Sequence, residues 1–311
     1  MTLAHWVALA VVLLFATGVV ERCRRRGNAA VRHCLSDAMT RVAVRWLVIL
    51  AVAAIVAPWL APFRPSRQLD IVALVNQAPS WTHPFGTDSY SRDVYSRMLY
   101  GARVSLGVGV FAMVVAVIAG GTIGVVAGYF RRGIDGVLMR LVDVGLAVPR
   151  IFLVLVVTAL WSGLALGPLV LLLGLTGWFA TSRLVRSEVL ALRDAPFVEA
   201  SRAAGASPLR VMLRDVTPNA AAPMIVSAAL GIGNVMLLEA ALSFLGVGVQ
   251  PPAASWGNLI ADGRDQLMIA PWTTLIPGIA VALSVMAFNT VGDALEQALD
   301  PRRSDPSGSI G

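Results

Sequence analysis

A single acid, Glu239, stands in the middle of the apolar stretch 221–245. An acidic group at the centre of a bilayer costs about 2.5 to 3.5 kcal/mol on the insertion scale for Asp, so Glu239 must be partnered, protonated or turned toward an aqueous path. Two roles stay open for it, a hydrogen bond at a helix interface and a place on a translocation route. A proton relay would want several spaced intramembrane acids, and one does not make a relay. Other reactive groups are scarce: His5, His33 and His83 fall near or outside the edges of the apolar stretches, and no metal-type spacing includes Cys23 and Cys34. All 25 basic residues are Arg and none is Lys, which excludes a Gly-x-x-x-x-Gly-Lys-Ser/Thr phosphate loop. An intramembrane enzyme therefore lacks its parts, and energy for any active process must come from another polypeptide.

The elements that hold these residues are hydrocarbon-soluble. Of 311 residues 57% are hydrophobic and 14% charged, with a mean hydropathy of +0.74, which places the chain in the membrane class. A bilayer core of about 30 Å needs roughly 20 apolar residues as helix. Seven stretches qualify: 2–20, 42–61, 104–127, 141–162, 168–185, 221–245 and 272–291. The expected fold is all-α and polytopic. Gly120, Gly121, Gly124 and Gly128, with Gly231 and Gly233, fit close helix packing in a bilayer and fit compositional bias equally well.

Placing 21–45 inside puts 129–140, 183–220 and the C-terminal tail inside as well. That side then holds 18 arginines against six on the other, with Arg150 within a span, in accord with the positive-inside rule. Cys23 and Cys34 are then free thiols on the reducing side. The stretch 2–20 fits a secretory signal poorly, having no basic residue ahead of it, and reads as an extra span with an outside N-terminus; translation from Met39 is the alternative.

Two polar segments face the opposite side. Pro62 to Arg103 is too polar to span and rich in turn formers and aromatic residues, so it should be ordered. Its Asp88, Arg92, Asp93 and Arg97 suit a local ion network or direct contact with a solute. The loop from Gly246 to Pro271 is likewise external, and Trp256 and Trp272 suit the bilayer interface. At the inner edge, Asp143 is expected to pair with Arg140.

Between the fifth and sixth stretches lies a charged, turn-punctuated island. Asp194 is a plausible N-cap, Pro196 fits a first turn, and Gly205 stands where a helix end needs a left-handed residue, which predicts a short helix over 195–204. Ser207 and Pro208 restart a second helix, in which Leu209, Met212, Leu213 and Val216 form the apolar stripe while Arg210 and Arg214 share another face. By itself this reads as a surface helix resting on the ends of the spans.

The island resembles the cytoplasmic loop of binding-protein-dependent ABC importer permeases, whose pattern is Glu-Ala-Ala, three variable residues, Gly, and later a Pro. Here it reads Glu199, Ala200, Ser201, Gly205 and Pro218, with Asn219 following. Ser201 replaces the second Ala, and Asp215 and Thr217 stand where the peptide branch often has His and Leu. Three more stretches are similar to the dipeptide and oligopeptide branch: His83-Pro84-Phe85-Gly86-Thr87-Asp88 with Arg92-Asp93, Ser96-Arg97 and Tyr100-Gly101-Ala102-Arg103; Leu242 to Gly246 through Gln250-Pro251-Pro252 to Ser255-Trp256-Gly257; and Phe288-Asn289 through Gly292-Asp293 to Leu299-Asp300-Pro301-Arg302. Four motifs in order over most of residues 80–302 make a specific resemblance. One departure is Ser91, where the branch usually has Gly.

The resemblance implies a six-helix, type I importer-like permease core plus the extra N-terminal span, in a bacterial cytoplasmic (inner) membrane with the island and C-terminus cytoplasmic. Its divisions fall at 1–38 (extra segment and basic arm), 39–102 (first core span and external segment), 103–303 (core, with the coupling loop at 183–220) and 304–311 (flexible tail). It implies that Glu199, Ala200, Ser201, Gly205, Leu209, Pro218 and Asn219 form a coupling element seated on an ATP-hydrolysing subunit. Gly205 would permit the sharp turn and the small residues a close approach. Further partners implied are a second, homologous permease, an extracytoplasmic solute-binding protein, membrane lipid and a di- or oligopeptide, with no nucleic acid. The expected binding-protein contacts are Asp88, Arg92, Asp93 and Trp256; Glu239 is the candidate for the path. ATP and Mg would be used by the partner subunits, with no cofactor or metal on this chain. Nickel or another small solute is the alternative cargo, and an ion-coupled secondary transporter the alternative class, against which the large loop and the lack of clear inverted repeats count.

Overall fold

The computed structural model describes residues 17, 18, 20, 21, 34–130, 132–161 and 163–299. The expected first span, the basic arm with Cys23, the motif end at Asp300-Pro301-Arg302 and the tail lie outside or largely outside the described residues. Among the described residues five helices are long and apolar enough to cross a membrane: α1 (Ala38–Leu60), α2 (Val94–Phe130), α5 (Leu166–Arg193), α8 (Ala221–Phe244) and α10 (Trp272–Leu299). A sixth crossing is available if the pair α3 (Arg132–Ala147) and α4 (Arg150–Leu160) counts as one.

Each expected span from 42 onward has a counterpart among the described residues, with two instructive differences. The stretch 141–162 is not one helix, because the chain bends by 81° between α3 and α4. Pro149 at the break lacks an N–H and disfavours helix in the residue before it, and it occupies the N-cap of α4. Also, α2 starts ten residues before the expected 104. At 37 residues it is about 55 Å long, so it reaches well beyond a hydrocarbon core of about 30 Å. Asp93, just ahead of it, accepts from the backbone N and the Oγ of Ser96 at 2.8 and 2.7 Å and so satisfies free donors of its first turn. The external segment that begins at Pro62 therefore ends in helix.

With α3 and α4 counted as one crossing the helices alternate in direction, so that α2 and α5 run parallel. The first turns of α1 lie beside the end of α10, where Cys34 Sγ donates to the Ala294 carbonyl at 3.2 Å. At the opposite end the Phe63 amide donates to Ser96 Oγ. One core cluster joins Leu50 and Ala54 of α1, Met98 and Ala102 of α2, Met236 of α8, Val281 and Phe288 of α10, and Trp256 of the short helix α9 (Trp256–Gly263).

The tightest seam is between α2 and α5. Gly120, Gly124 and Gly128 form an i, i+4, i+8 row. A Cβ on them would stand 2.7 Å from the Trp178 carbonyl oxygen, 2.6 Å from that of Ser182 and 2.8 Å from Val189 Cβ. Bare backbone is what allows this approach, so for these three the packing reading holds. Gly121 meets the flexible end of Met224, and Gly233 makes only ordinary contacts. The row is carried by one face.

Candidate functional site

The island begins at Asp194, because α5 continues helically to Arg193 rather than ending near 185. Its first helix, α6 (Pro196–Ala203), has Pro196 in the first turn and is followed by Gly205 at φ +85°, as the sequence predicts. The cap differs: Ala195, not Asp194, is the N-cap, and no side chain bonds there. Ser207 does cap the next helix, its Oγ accepting from the Arg210 amide at 3.4 Å.

That next element, α7, departs from the expected stripe. It runs as a short α-turn (Pro208–Arg210), a π-helical segment (Val211–Val216) and a final α-turn (Thr217–Asn219). The Thr217 amide bonds back five residues to the Met212 carbonyl, and Thr217 Oγ1 donates to the same oxygen at 2.8 Å. The wider turn moves the buried positions to Val211, Met212 and Val216, spaced i, i+1, i+5. Leu209 and Leu213, expected to face inward, are 57% and 55% exposed. A 3.6-residue period cannot anticipate a π segment.

The buried side of the island is anchored. Val198 of α6 joins Val211, Met212, Val216 and Ala220 in a cluster with Val125 and Tyr129 of α2 and Val185 and Val189 of α5, and Arg202 lies over the Tyr129 ring at 5.8 Å. The other side is open: Glu199, Ala200, Gly205, Leu209, Pro218 and Asn219 are exposed and Ser201 is half-buried. With Phe197 and Leu213 also exposed, the island offers a mixed apolar and polar face on a rigid mount. Ion pairs brace the bundle nearby. Asp135 of α3 takes both Arg186 Nε and Nη2 of α5. Asp143 pairs with Arg183 of α5, not with Arg140 three residues back, because the bent α3 packs its polar edge on α5.

At the opposite end three of the four charges picked from the sequence, Asp88, Arg92 and Arg97, form a network with Asp262, which gave no signal. Asp88 Oδ2 accepts from Arg92 Nε and Arg97 Nη1, both at 2.7 Å. Asp262 of α9 accepts from Arg92 Nη2 at 2.8 Å and Arg97 Nη2 at 2.9 Å. Asp93 instead lies 2.8 Å from His83 Nδ1. Such mutual neutralisation is what makes burial of these charges tolerable. Asp70 starts the neighbouring turn; the amides of Ala73 and Val72 donate to its carboxylate and hold it below the usual range.

The residues expected to meet the binding protein are mostly covered in this structure. Asp88, Asp93 and Trp256 are buried and Arg92 half-buried, so this set is the frame of the external region rather than its outer surface. Trp256 is 2% exposed and not at a lipid boundary; its Nε1 donates to the Met98 carbonyl at 3.0 Å. The outward face carries Val72, Trp81, Tyr90 and Met268 instead.

Ser91 explains its own departure from the family pattern. It is fully buried at φ +55° with no partner for its hydroxyl. Left-handed backbone costs an L-residue roughly 1–2 kcal/mol, and glycine gives back about 0.5–1 kcal/mol of that through the unfolded chain. Ser91→Gly is therefore expected to stabilise the protein by about 1 kcal/mol or more once the orphaned hydroxyl is counted. Thermal unfolding in detergent checks this, and a lowered midpoint would contradict it.

Glu239 is buried at a helix interface. It is 0% exposed, with Ser105 Oγ of α2 donating to Oε2 at 3.1 Å and Ser243 Oγ donating to Oε1 at 2.8 Å. Those hydroxyls accept in turn from the Trp256 and Val249 amides at 3.0 and 3.2 Å. The acid thus ties the 246–271 loop to α2 and α8. It does not line the large cavity.

That cavity, of about 840 Å³, runs between α2, α4, α5, α8 and α10. Its wall follows α5 from Gly177 to Leu192, about 22 Å along the axis, and reaches Asn219 and Glu296 at the island end. Arg150, which the sequence marked only as a charge within a span, lies on its wall. Among the described residues no group of three or more His, Cys, Asp or Glu is placed to hold a metal.

Comparison with known proteins bears on the same region. The family described as binding-protein-dependent transport system inner membrane component matches residues 120–305. A candidate peptide transport system permease protein of Brucella abortus is 41% identical over 275 residues, covering 87% of this chain and 90% of the relative. A similar protein of Brucella suis is 41% identical over 266 residues, covering 84% and 87%. The dipeptide transport system permease protein DppC of Alkalihalophilus pseudofirmus is 40% identical over 270 residues, covering 84% and 86%.

Proposed function

Since the chain belongs to the binding-protein-dependent transport system inner membrane components, we infer that it carries di- or oligopeptides through an ATP-driven importer and takes its motion from the island. It is a multi-pass permease subunit and not an enzyme. ATP hydrolysis resides in a separate subunit, and a solute-binding protein delivers the cargo. In this reading a second, related permease completes the pathway, and ATP with Mg serves the ATPase subunits alone. The island and the C-terminus face the cytoplasm, a placement supported by the arginine distribution. The peptide cargo is supported by the names of the relatives.

The observation that carries the coupling role is the two-sided island. A helical segment that buries Val198, Val211 and Val216 against α2 and α5 moves with the bundle, while its exposed Glu199, Ala200, Gly205 and Leu209 can seat on another subunit. ATP-dependent displacement of that subunit would then bias two packed arrangements of the helices. In the access change, the cavity opening near Asn219 and Glu296 is the inward-facing mouth. The exposed Val72, Trp81, Tyr90 and Met268 give the binding protein its outer surface.

The test is co-purification and reconstitution. The chain is expected to come down with a related permease and ATPase subunits, and proteoliposomes to take up labelled di- or tripeptide only with ATP and the binding protein. Uptake by this chain without any ATPase would contradict the coupling role, and uptake of nickel but no peptide would contradict the cargo.

A further inference from the structure

Resting on the peptide reading above, we propose that Arg150 is the cavity's receptor for the carboxylate of the passing solute, in the first place a peptide's C-terminal carboxylate. Among the described residues Arg150 is the only cation that lines the cavity. It sits at the start of α4, immediately after the 81° bend, so the break in the chain is what turns it inward.

Its existing bonds hold the side chain without neutralising it. Nε donates to Thr176 Oγ1 at 3.2 Å and Nη2 to the Leu173 carbonyl at 2.5 Å. Both acceptors are uncharged groups of α5, and among the described residues no carboxylate lies within ion-pair distance. Nη1 has no protein acceptor among the described residues. Gly177 keeps the guanidinium lying along α5, since a Cβ there would stand 3.1 Å from Nη2. A guanidinium stays protonated, is costly in an apolar span, and offers a planar fork that fits a carboxylate. Here one edge of that fork is fixed and the remainder faces the cavity.

The acids of the cavity lie elsewhere. Glu188 follows Gly177 by eleven residues on α5, about 17 Å further toward the island, and Glu296 lies beside the same mouth. The cavity is therefore polar by ends, cationic at depth and acidic near its opening. A zwitterionic peptide that places its carboxylate at Arg150 meets a compensating charge, whereas its C-terminal amide leaves the guanidinium unpaired.

The experiment uses the assembled importer in proteoliposomes, supplied with saturating, preloaded binding protein. Three solutes are compared: a dipeptide, its C-terminal amide, and an amide that carries an aspartate side chain. The wild type is expected to favour the free acid over the plain amide by at least ten-fold. Arg150→Gln is expected to lose most uptake of the free acid with little change for the plain amide, so that the ratio approaches one. Arg150→Lys is expected to restore part of the preference. Transport of the aspartyl amide in an Arg150-dependent manner would assign the receptor to carboxylates generally; its exclusion would assign it to the chain terminus. An unchanged ratio in Arg150→Gln, or equal loss for all solutes alongside a lowered melting point, overturns the proposal and leaves Arg150 a strut between α4 and α5. Failure of the wild type to move any peptide is seen in its own arm and rejects the cargo reading instead.

Discussion

Gly124→Leu is expected to abolish recovery of folded permease, with at least a ten-fold loss of monodisperse protein in detergent. A Cβ at this position meets the Ser182 carbonyl oxygen at 2.6 Å and Val185 Cβ at 2.8 Å. Overpacking a core costs about 1–3 kcal/mol where side chains can yield. Here one obstacle is the backbone of α5 itself, so the two helices must part along the whole Gly120-Gly124-Gly128 row. Gly107→Leu on the same helix is the control, because nothing lies within 4 Å of its added carbon. Equal yields for the two variants would show that the seam is not what holds α2 to α5.

The second large effect is expected on coupling without loss of fold. Gly205 is at φ +85° with open space around it. Valine there is hindered by its own backbone and not by neighbours, at roughly 1–2 kcal/mol or more for a left-handed L-residue. The turn between α6 and α7 should reopen, and with it the alignment of the exposed face. Glu199→Arg changes that face chemically, reversing an exposed charge while leaving Val198 beneath it in place. Both variants should insert and purify normally, yet retain ATPase subunits and support uptake at a tenth of the normal level or less. Normal ATPase yield together with normal uptake in both would remove the island from the coupling path.

Much of the architecture was legible because a bilayer simplifies the rules. Apolar runs of the right length became helices, and Pro196, Gly205 and Ser207 punctuated the island where their backbone preferences dictate. Three things were not legible, each for a physical reason. The π segment at Val211–Val216 is set by packing against Val125 and Val189 rather than by local periodicity. Asp262 reaches Arg92 and Arg97 across some 165 residues of sequence, and pairing at that range leaves no local pattern. Trp256 was placed at a lipid boundary on residue type alone, but its indole N–H found the Met98 carbonyl inside the external knot. In the other direction, Ser91 was visible as an oddity in the sequence and only its φ of +55° says why it is one.

The glycine row also decides what can move. Side chains that interdigitate can change rotamer and let one cylinder slip over another; two backbones in contact have nothing to rearrange. Force applied at Glu199 is thus delivered to α2 and α5 as a single beam, anchored through Val198 and Tyr129. Flexure has to be found where that beam stops, and the joint at Val148-Pro149, directly ahead of Arg150, is where the chain already folds over.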